Sequence, residues 1–239
     1  MVQINENWLR ENVNEKAGLS YYDRFVDYIN KPIGIFRTVQ GTQKTLSLGG
    51  ATAGKKLSRK LGGAIGSLGT LRIPSAVGEA VDSVSALKAD SEISLYRRTL
   101  KAVGDVSDAI ATCSYSHMFI TGSPALKTVA QVTDFTNDLV DLKISRDDYL
   151  KAADLETAAT GDAKVAVTHT KTYQLLRVVK AVAAIASTIF GVVLLALGMP
   201  LVAFLTVSLT STLFAILRDL YKDAGRFKVI SLDREVTLI

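Results

Sequence analysis

The residues Gly49-Gly50-Ala51-Thr52-Ala53-Gly54-Lys55 have the glycine and lysine spacing of a loop that cradles phosphate. Such a loop needs a Ser or Thr hydroxyl after its lysine to hold Mg²⁺, and this chain has Lys56 there. Neither the buried strand that should precede the loop nor a second strand ending in Asp can be found, so nucleotide hydrolysis is not expected. Cys113, Ser114, Ser116 and His117 could suggest a nucleophile beside a base. A helix turns such neighbours about 100° apart per residue, and no third group stands ready to orient the base. His117 and His169, the two histidines, lack the Cys or carboxylate spacing of a metal site and read as surface or packing residues. Asp105 with Asp108, and Asp147 with Asp148, read as solvated helix faces or caps. These residues assemble no catalytic, metal or cofactor site, and the chain is not expected to be an enzyme.

The polar chemistry that stands out is electrostatic. Lys55, Lys56, Arg59 and Lys60 lie on one side of a run whose other side carries Leu57, Leu61, Ala64, Ile65 and Leu68 at helical spacing. A helix of this kind suits the headgroup plane of a membrane, where each cation gains about 1 kcal/mol from anionic lipid. Gly62, Gly63 and Gly66 weaken it in water by roughly 0.5–1 kcal/mol each relative to Ala, so its ordering is expected to wait for a lipid surface.

A second feature limits where that helix can act. Residues Ala181 to Leu217 are almost without charge and are split once, at Gly198-Met199-Pro200. Each arm has about 17–18 residues, or roughly 26 Å of helix, enough to cross a thin hydrocarbon core. Arg177 and Lys180 precede the first arm, and Arg218, Lys222, Arg226 and Lys228 follow the second. By the positive-inside bias both ends of this transmembrane hairpin should face the cytosol. Ala184, Ser187 and Gly191 in one arm and Ser208 and Ser211 in the other are small enough for two helices to approach closely, within the chain or between copies. Homo-oligomerisation is therefore expected.

The net charge of +5 is gathered in local clusters, which favours anionic lipid and gives no indication of nucleic-acid binding. The single cysteine excludes an intramolecular disulfide framework and fits a reducing compartment. The opening residues MVQINENWLRENVNEK hold no apolar core behind a basic start, so membrane insertion is expected to rely on the late hairpin. The final residues, Val236-Thr237-Leu238-Ile239, do not resemble a peroxisomal matrix address.

Short helices joined by Gly, Pro and Ser account for the rest of the chain, and the expected fold is all-α. Ser20 with Asp23 resembles a capping box before Phe25 and Ile29, and Asn30-Lys31-Pro32 reads as a bend. Gly41 to Gly54 reads as a linker. Pro74 opens a run with Val77, Val81, Val84 and Leu87 in register. Ser91 is expected to cap a long helix with Leu95 or Tyr96, Leu100, Val103, Val106, Ile110 and Cys113 along its apolar line. After Gly122-Ser123-Pro124 comes a helix with Leu126, Val129, Val132, Phe135, Leu139 and Leu142. Ser145 with Asp148 reads as the start of a shorter helix through Leu155, and Gly161-Asp162 as a break before a last helix that enters the first arm. The divisions are thus residues 1–40, an amphipathic region; 41–54, a linker; 55–176, a cytosolic or interfacial helical region; 177–222, the hairpin; and 223–239, a cytosolic tail that is a short strand or unstructured.

This layout resembles the peroxin 11 family, which elongates the membranes of peroxisomes and glycosomes. Leu57-Ser58-Arg59-Lys60-Leu61 is similar to the family's basic amphipathic stretch. The run from Leu100 to Asp108, followed by Tyr115-Ser116-His117 and Gly122, resembles its central helix. The sequence departs from the family in lacking a tryptophan after that helix, since its one Trp is Trp8, and in having no clean basic helix between Ser20 and Arg37. The resemblance implies a non-enzymatic organelle membrane protein that self-associates, works with the division machinery and promotes proliferation. Two other readings fit the residues. The two-lobed hydrophobic hairpin also resembles those of bacterial inclusion-membrane proteins that recruit host partners. The hydroxyls of Ser187, Thr188, Thr206, Ser208, Thr210, Ser211 and Thr212 could instead line a metabolite channel.

Overall fold

The computed structural model describes residues 21–49, 57, 61, 64–89, 93–197 and 201–222, and these residues form helices and turns with no strand among them. Helix α1, Tyr21–Ile29, meets α2, Pro32–Leu48, at the Asn30-Lys31 bend. Lys31 is extended, and Pro32 takes a first-turn position where its missing N–H costs nothing. A side chain at Gly34 would have its Cβ 1.8 Å from the Tyr28 carbonyl oxygen, so only glycine lets the two helices fold this tightly together.

The expected linker does not begin at Gly41. Residues 41–48 continue α2, because Gly41 is buried with only 3.6 Å between its open Cβ position and the Thr212 methyl. This tertiary contact outweighs the weak helix propensity of the Gly/Thr/Ser composition. The phosphate-loop residues Gly50 to Lys55 lie outside the described residues.

Residues 64–70 are helical and turn at Leu71-Arg72 into α3, Ile73–Ser85, which ends in a 3₁₀ turn at Ala86–Lys88. Helix α4 spans Leu95–Thr121, and its N-cap is Ser94, whose side chain accepts a hydrogen bond from the Arg97 N–H; Ser91 falls outside the described residues. Gly122 closes α4 in the left-handed conformation, φ 67°. Helix α5, Pro124–Ala158, runs unbroken through Ser145 and Asp148. Both residues are buried inside it, so neither caps a new helix. After Ala159-Thr160 comes α6, Gly161–Leu197, then α7, Leu201–Lys222. The boundary expected at residue 177 falls within α6.

Consecutive helices from α3 to α7 pack each on the next, and α2 returns to pack on α7. Short turns make α4 to α7 an up-and-down array. Its burial is inverted with respect to an ordinary amphipathic bundle. On α3, Ala76, Ala80 and Ser83 are buried and Val77, Val81 and Val84 are exposed. On α4 the buried positions include Ala102, Ser107, Ala109, Thr112 and Ser116, whereas Leu95, Tyr96, Val103 and Ile110 face outward. Likewise α5 buries Ala130, Asp138, Ser145, Asp148 and Ala152 and exposes Val129, Val132 and Leu139. The apolar stripes legible in the sequence thus mark mainly the outside of the array.

Candidate functional site: an ion-paired interior beneath an apolar surface

The inward seam of α5 advances in alternating steps of four and three: Asp134, Asp138, Asp141, Ser145, Asp148, Ala152 and Leu155, of which Asp134 and Asp141 are half-buried and the rest buried. On α6 the matching steps are Val167, Thr170, Gln174, Arg177 and Ala181. This is the seam spacing of two helices packed side by side, with acids and bases at positions normally given to leucine. The charges are matched across it. Asp148, 1% exposed, receives both Arg97 Nη atoms of α4 at 2.6 and 2.8 Å, and the Gln174 amide lies 3.5 Å from the same carboxylate. The Gln174 carbonyl accepts from Arg177 at 3.2 Å, and Arg177 in turn donates to Asp141. Lys180 reaches both Asp138 at 2.8 Å and Asp141 at 3.4 Å. The network therefore runs without a gap from Arg97 to Asp138 across three helices.

A second group ties α2 to α7. Arg37 and Arg218 share the Asp219 carboxylate, and Lys44 donates to the Ser208 carbonyl at 3.1 Å and the Thr212 hydroxyl at 2.8 Å. Arg72 pairs with Asp108 at 3.3 Å and lies over the Phe36 ring, and Ser83 donates to Asp105.

The acids of α5 feel opposing effects. Burial raises the Asp141 carboxyl, but Arg177 and Lys180 outweigh it and hold the group well below the usual carboxylate range. Burial also raises Asp138, with Lys180 opposing. At Asp134, one turn farther from Arg177, burial and the Asp138 charge prevail and push the carboxyl up to about 7. Tyr115 is raised by burial and then by Asp134 and Asp138.

By length and composition, two stretches of the described residues could cross a membrane: Lys164–Val192 on α6 and Leu201–Tyr221 on α7. Only 11% and 17% of their apolar windows are buried, whereas the core helix of a water-soluble protein would be mostly buried. Two of the small residues expected at helix contacts lie against the facing arm. Gly191 leaves 3.3 Å between its open Cβ position and the Phe204 ring, and Ser211 donates to the Lys180 carbonyl. Ser208 is buried, and Ala184 and Ser187 are half-buried. Of the expected lipid-facing stripe, Leu57 is exposed, and Leu61, Ile65 and Leu68 are half-buried. Lys55, Lys56, Arg59 and Lys60 lie outside the described residues.

Cys113, Ser114, Ser116 and His117 line one cavity of about 360 Å³ with Thr70, Ile73 and Leu126. The i,i+4 spacing of Cys113 and His117 puts both on its wall, a juxtaposition missed when these residues are read as successive neighbours. His169 is a packing residue, stacked on Tyr221 with ring centroids 4.5 Å apart and its Nε2 3.1 Å from the Tyr221 carbonyl. Among the described residues no three His, Cys, Asp or Glu side chains group as metal ligands.

The interior acids were missed because apolar periodicity is the usual guide to a buried face. Their own four-three spacing on α5 was the signal that could have found them. No protein-family model, curated protein or solved structure matches this chain.

Proposed function

We propose that this chain is a non-enzymatic integral membrane protein, held in an organelle bilayer by the α6–α7 hairpin, that bends and elongates that membrane. The observation that carries the reading is the hairpin's own surface: only 11% and 17% of the apolar windows of α6 and α7 are buried, and Val182, Ile189, Val192, Val202, Leu213 and Leu217 face outward. In water that exposed apolar surface costs free energy. In hydrocarbon it is solvated, and Arg177 and Lys180 at the base of the hairpin, paired inward with Asp141 and Asp138, are the tolerated form of an ionisable residue. The basic segment around Lys55, Lys56, Arg59 and Lys60 then lies on the cytosolic leaflet and expands it as a wedge. A peroxisome or glycosome, self-association and the division machinery are the setting implied by the peroxin 11 resemblance.

The test is reconstitution of the full chain into phosphatidylcholine liposomes containing phosphatidylserine. Alkaline carbonate should leave both the wild type and the variant with all four basic residues changed to Glu in the membrane. Only the wild type should draw tubules visible by electron microscopy. Tubulation unchanged by the four substitutions refutes the wedge, and release by carbonate refutes the anchor.

A second reading is a membrane-anchored platform that recruits a partner, as in the inclusion-membrane comparison. It is favoured by the end of the bundle remote from the hairpin turn, where Leu95, Tyr96 and Leu150 are exposed on α4 and α5, joined there by the Arg97–Asp148 pair, and Val165 is exposed on α6 beside them.

A further inference from the structure

Between α2 and α7 runs an open groove of about 350 Å³, lined by Thr38, Gly41, Thr42, Thr45 and Leu46 on one side and Leu213 and Ile216 on the other. Two of its threonines spend their hydroxyl protons internally. The Thr42 hydroxyl donates to the Thr38 carbonyl and the Thr45 hydroxyl to the Gly41 carbonyl, each at 2.9 Å, so these two side chains offer mainly methyl groups to an occupant. With Leu46, Leu213 and Ile216 they make the groove chiefly a place for apolar contact. One wall belongs to a candidate membrane span, and Leu213 on that wall is 48% exposed.

The charge at one end is unequal. One residue beyond Thr38 stands Arg37, which shares the single carboxylate of Asp219 with Arg218. Arg218 also feels the Asp141 carboxylate, itself paired with Arg177 and Lys180; the four cations Arg37, Arg218, Arg177 and Lys180 thus meet the three acids Asp219, Asp141 and Asp138, which leaves a unit of positive charge in excess. An apolar channel that ends at excess cationic charge matches one acyl chain and the phosphate-bearing headgroup of an anionic lipid.

We infer that the α2–α7 groove is a binding site for one anionic glycerophospholipid, its acyl chain along Thr42, Thr45 and Leu213 and its headgroup at Arg37. The site deepens the membrane reading and rests on it. It is separate from the basic segment at residues 55–60, since its walls are residues 38–46 of α2 and 213–216 of α7. An occupant here would bridge α2 to the hairpin and couple their packing to lipid composition.

The experiment uses the full chain in liposomes doped with photoactivatable phosphatidylglycerol or phosphatidylcholine carrying the label in one acyl chain. Adducts on α2 and α7 are mapped by mass spectrometry. Phosphatidylglycerol should label the groove about fivefold more than phosphatidylcholine, the preference that one lipid-facing cation supplies. Arg37→Gln should abolish that preference, and Thr42→Phe, at an exposed position, should remove the adduct while helix content is unchanged. Equal labelling by the two lipids, labelling that survives Thr42→Phe, or a crosslink to a second copy in place of lipid would each overturn the inference. The variant with Glu at residues 55, 56, 59 and 60 should keep the adduct. A chain that resists carbonate yet shows no adduct refutes this site alone, whereas a chain that carbonate releases refutes the membrane reading.

Discussion

Replacing Asp134 with Asn should stabilise the fold at alkaline pH and do little at acidic pH. Burial and the neighbouring Asp138 charge raise this carboxyl from 3.8 to about 7, with Lys180 only partly offsetting them. The group therefore favours the folded chain when protonated, fully so below 3.8, and that contribution is lost as pH rises through about 7. A shift of about three units at about 1.36 kcal/mol each sets a ceiling near 4 kcal/mol for the cost of the ionised form. The amide also gives up the attraction to Lys180, so the gain expected at pH 8 is about 1–3 kcal/mol. Unfolding of the full chain in a mild detergent, followed by helix circular dichroism at pH 8, 6 and 4, measures it. The advantage of the Asn variant should be largest at pH 8 and shrink towards pH 4. An advantage that does not change with pH, or a variant less stable at pH 8, refutes the assignment of a buried, uncompensated carboxylate to this position.

Two further outcomes follow from packing. Asp148→Ala removes the carboxylate to which both Arg97 Nη atoms donate, at an Arg side chain 29% exposed, and should cost about 1–3 kcal/mol of unfolding free energy, most of which the double replacement Arg97→Met with Asp148→Leu should restore; a double variant no better than the single one refutes the pairing account. A Cβ at Gly104 would lie 3.0 Å from Val140 Cγ1, whereas one at Gly78 meets nothing within 4 Å. Gly104→Leu should therefore destabilise by about 1–3 kcal/mol through overpacking and Gly78→Ala should stabilise by about 0.5–1 kcal/mol, and the same assay compares them.

Local punctuation made much of the fold legible. Pro32 and Pro124 begin helices, Gly122 ends one, and the helix entering the first arm starts at Gly161, beside the expected break. The elements that were misread share a cause. Gly41 is helical and Ser145 and Asp148 are interior because of what packs against them across the bundle, and those neighbours are distant in sequence. Propensity and capping patterns see only a few residues at a time. Which side each stripe takes was not legible. Val77, Val81, Val103, Val132 and Leu139 keep helical register, and register alone cannot say which face of a helix is turned inward. Along α5 and α6 the inward positions are taken by Asp138 and Asp141 against Arg177 and Lys180, so Val132 and Leu139 are left on the outer face.

The position of those charges along α6 and α7 bears on how the hairpin sits. Arg177 and Lys180 end the charged part of α6, and Arg218 and Asp219 begin that of α7. With Asp138 and Asp141 on α5 and Arg37 on α2, they form one ionic layer at the base of the hairpin, joined by direct pairs within each of two groups. In the membrane reading that layer is a depth stop. Moving it towards the bilayer centre would desolvate charges held within the bundle. Moving it outward would expose the apolar arms, which are only just long enough to span. Paired charges inside the bundle would then set the depth of the hairpin. Replacing Lys180 would be expected to loosen that depth as well as the fold.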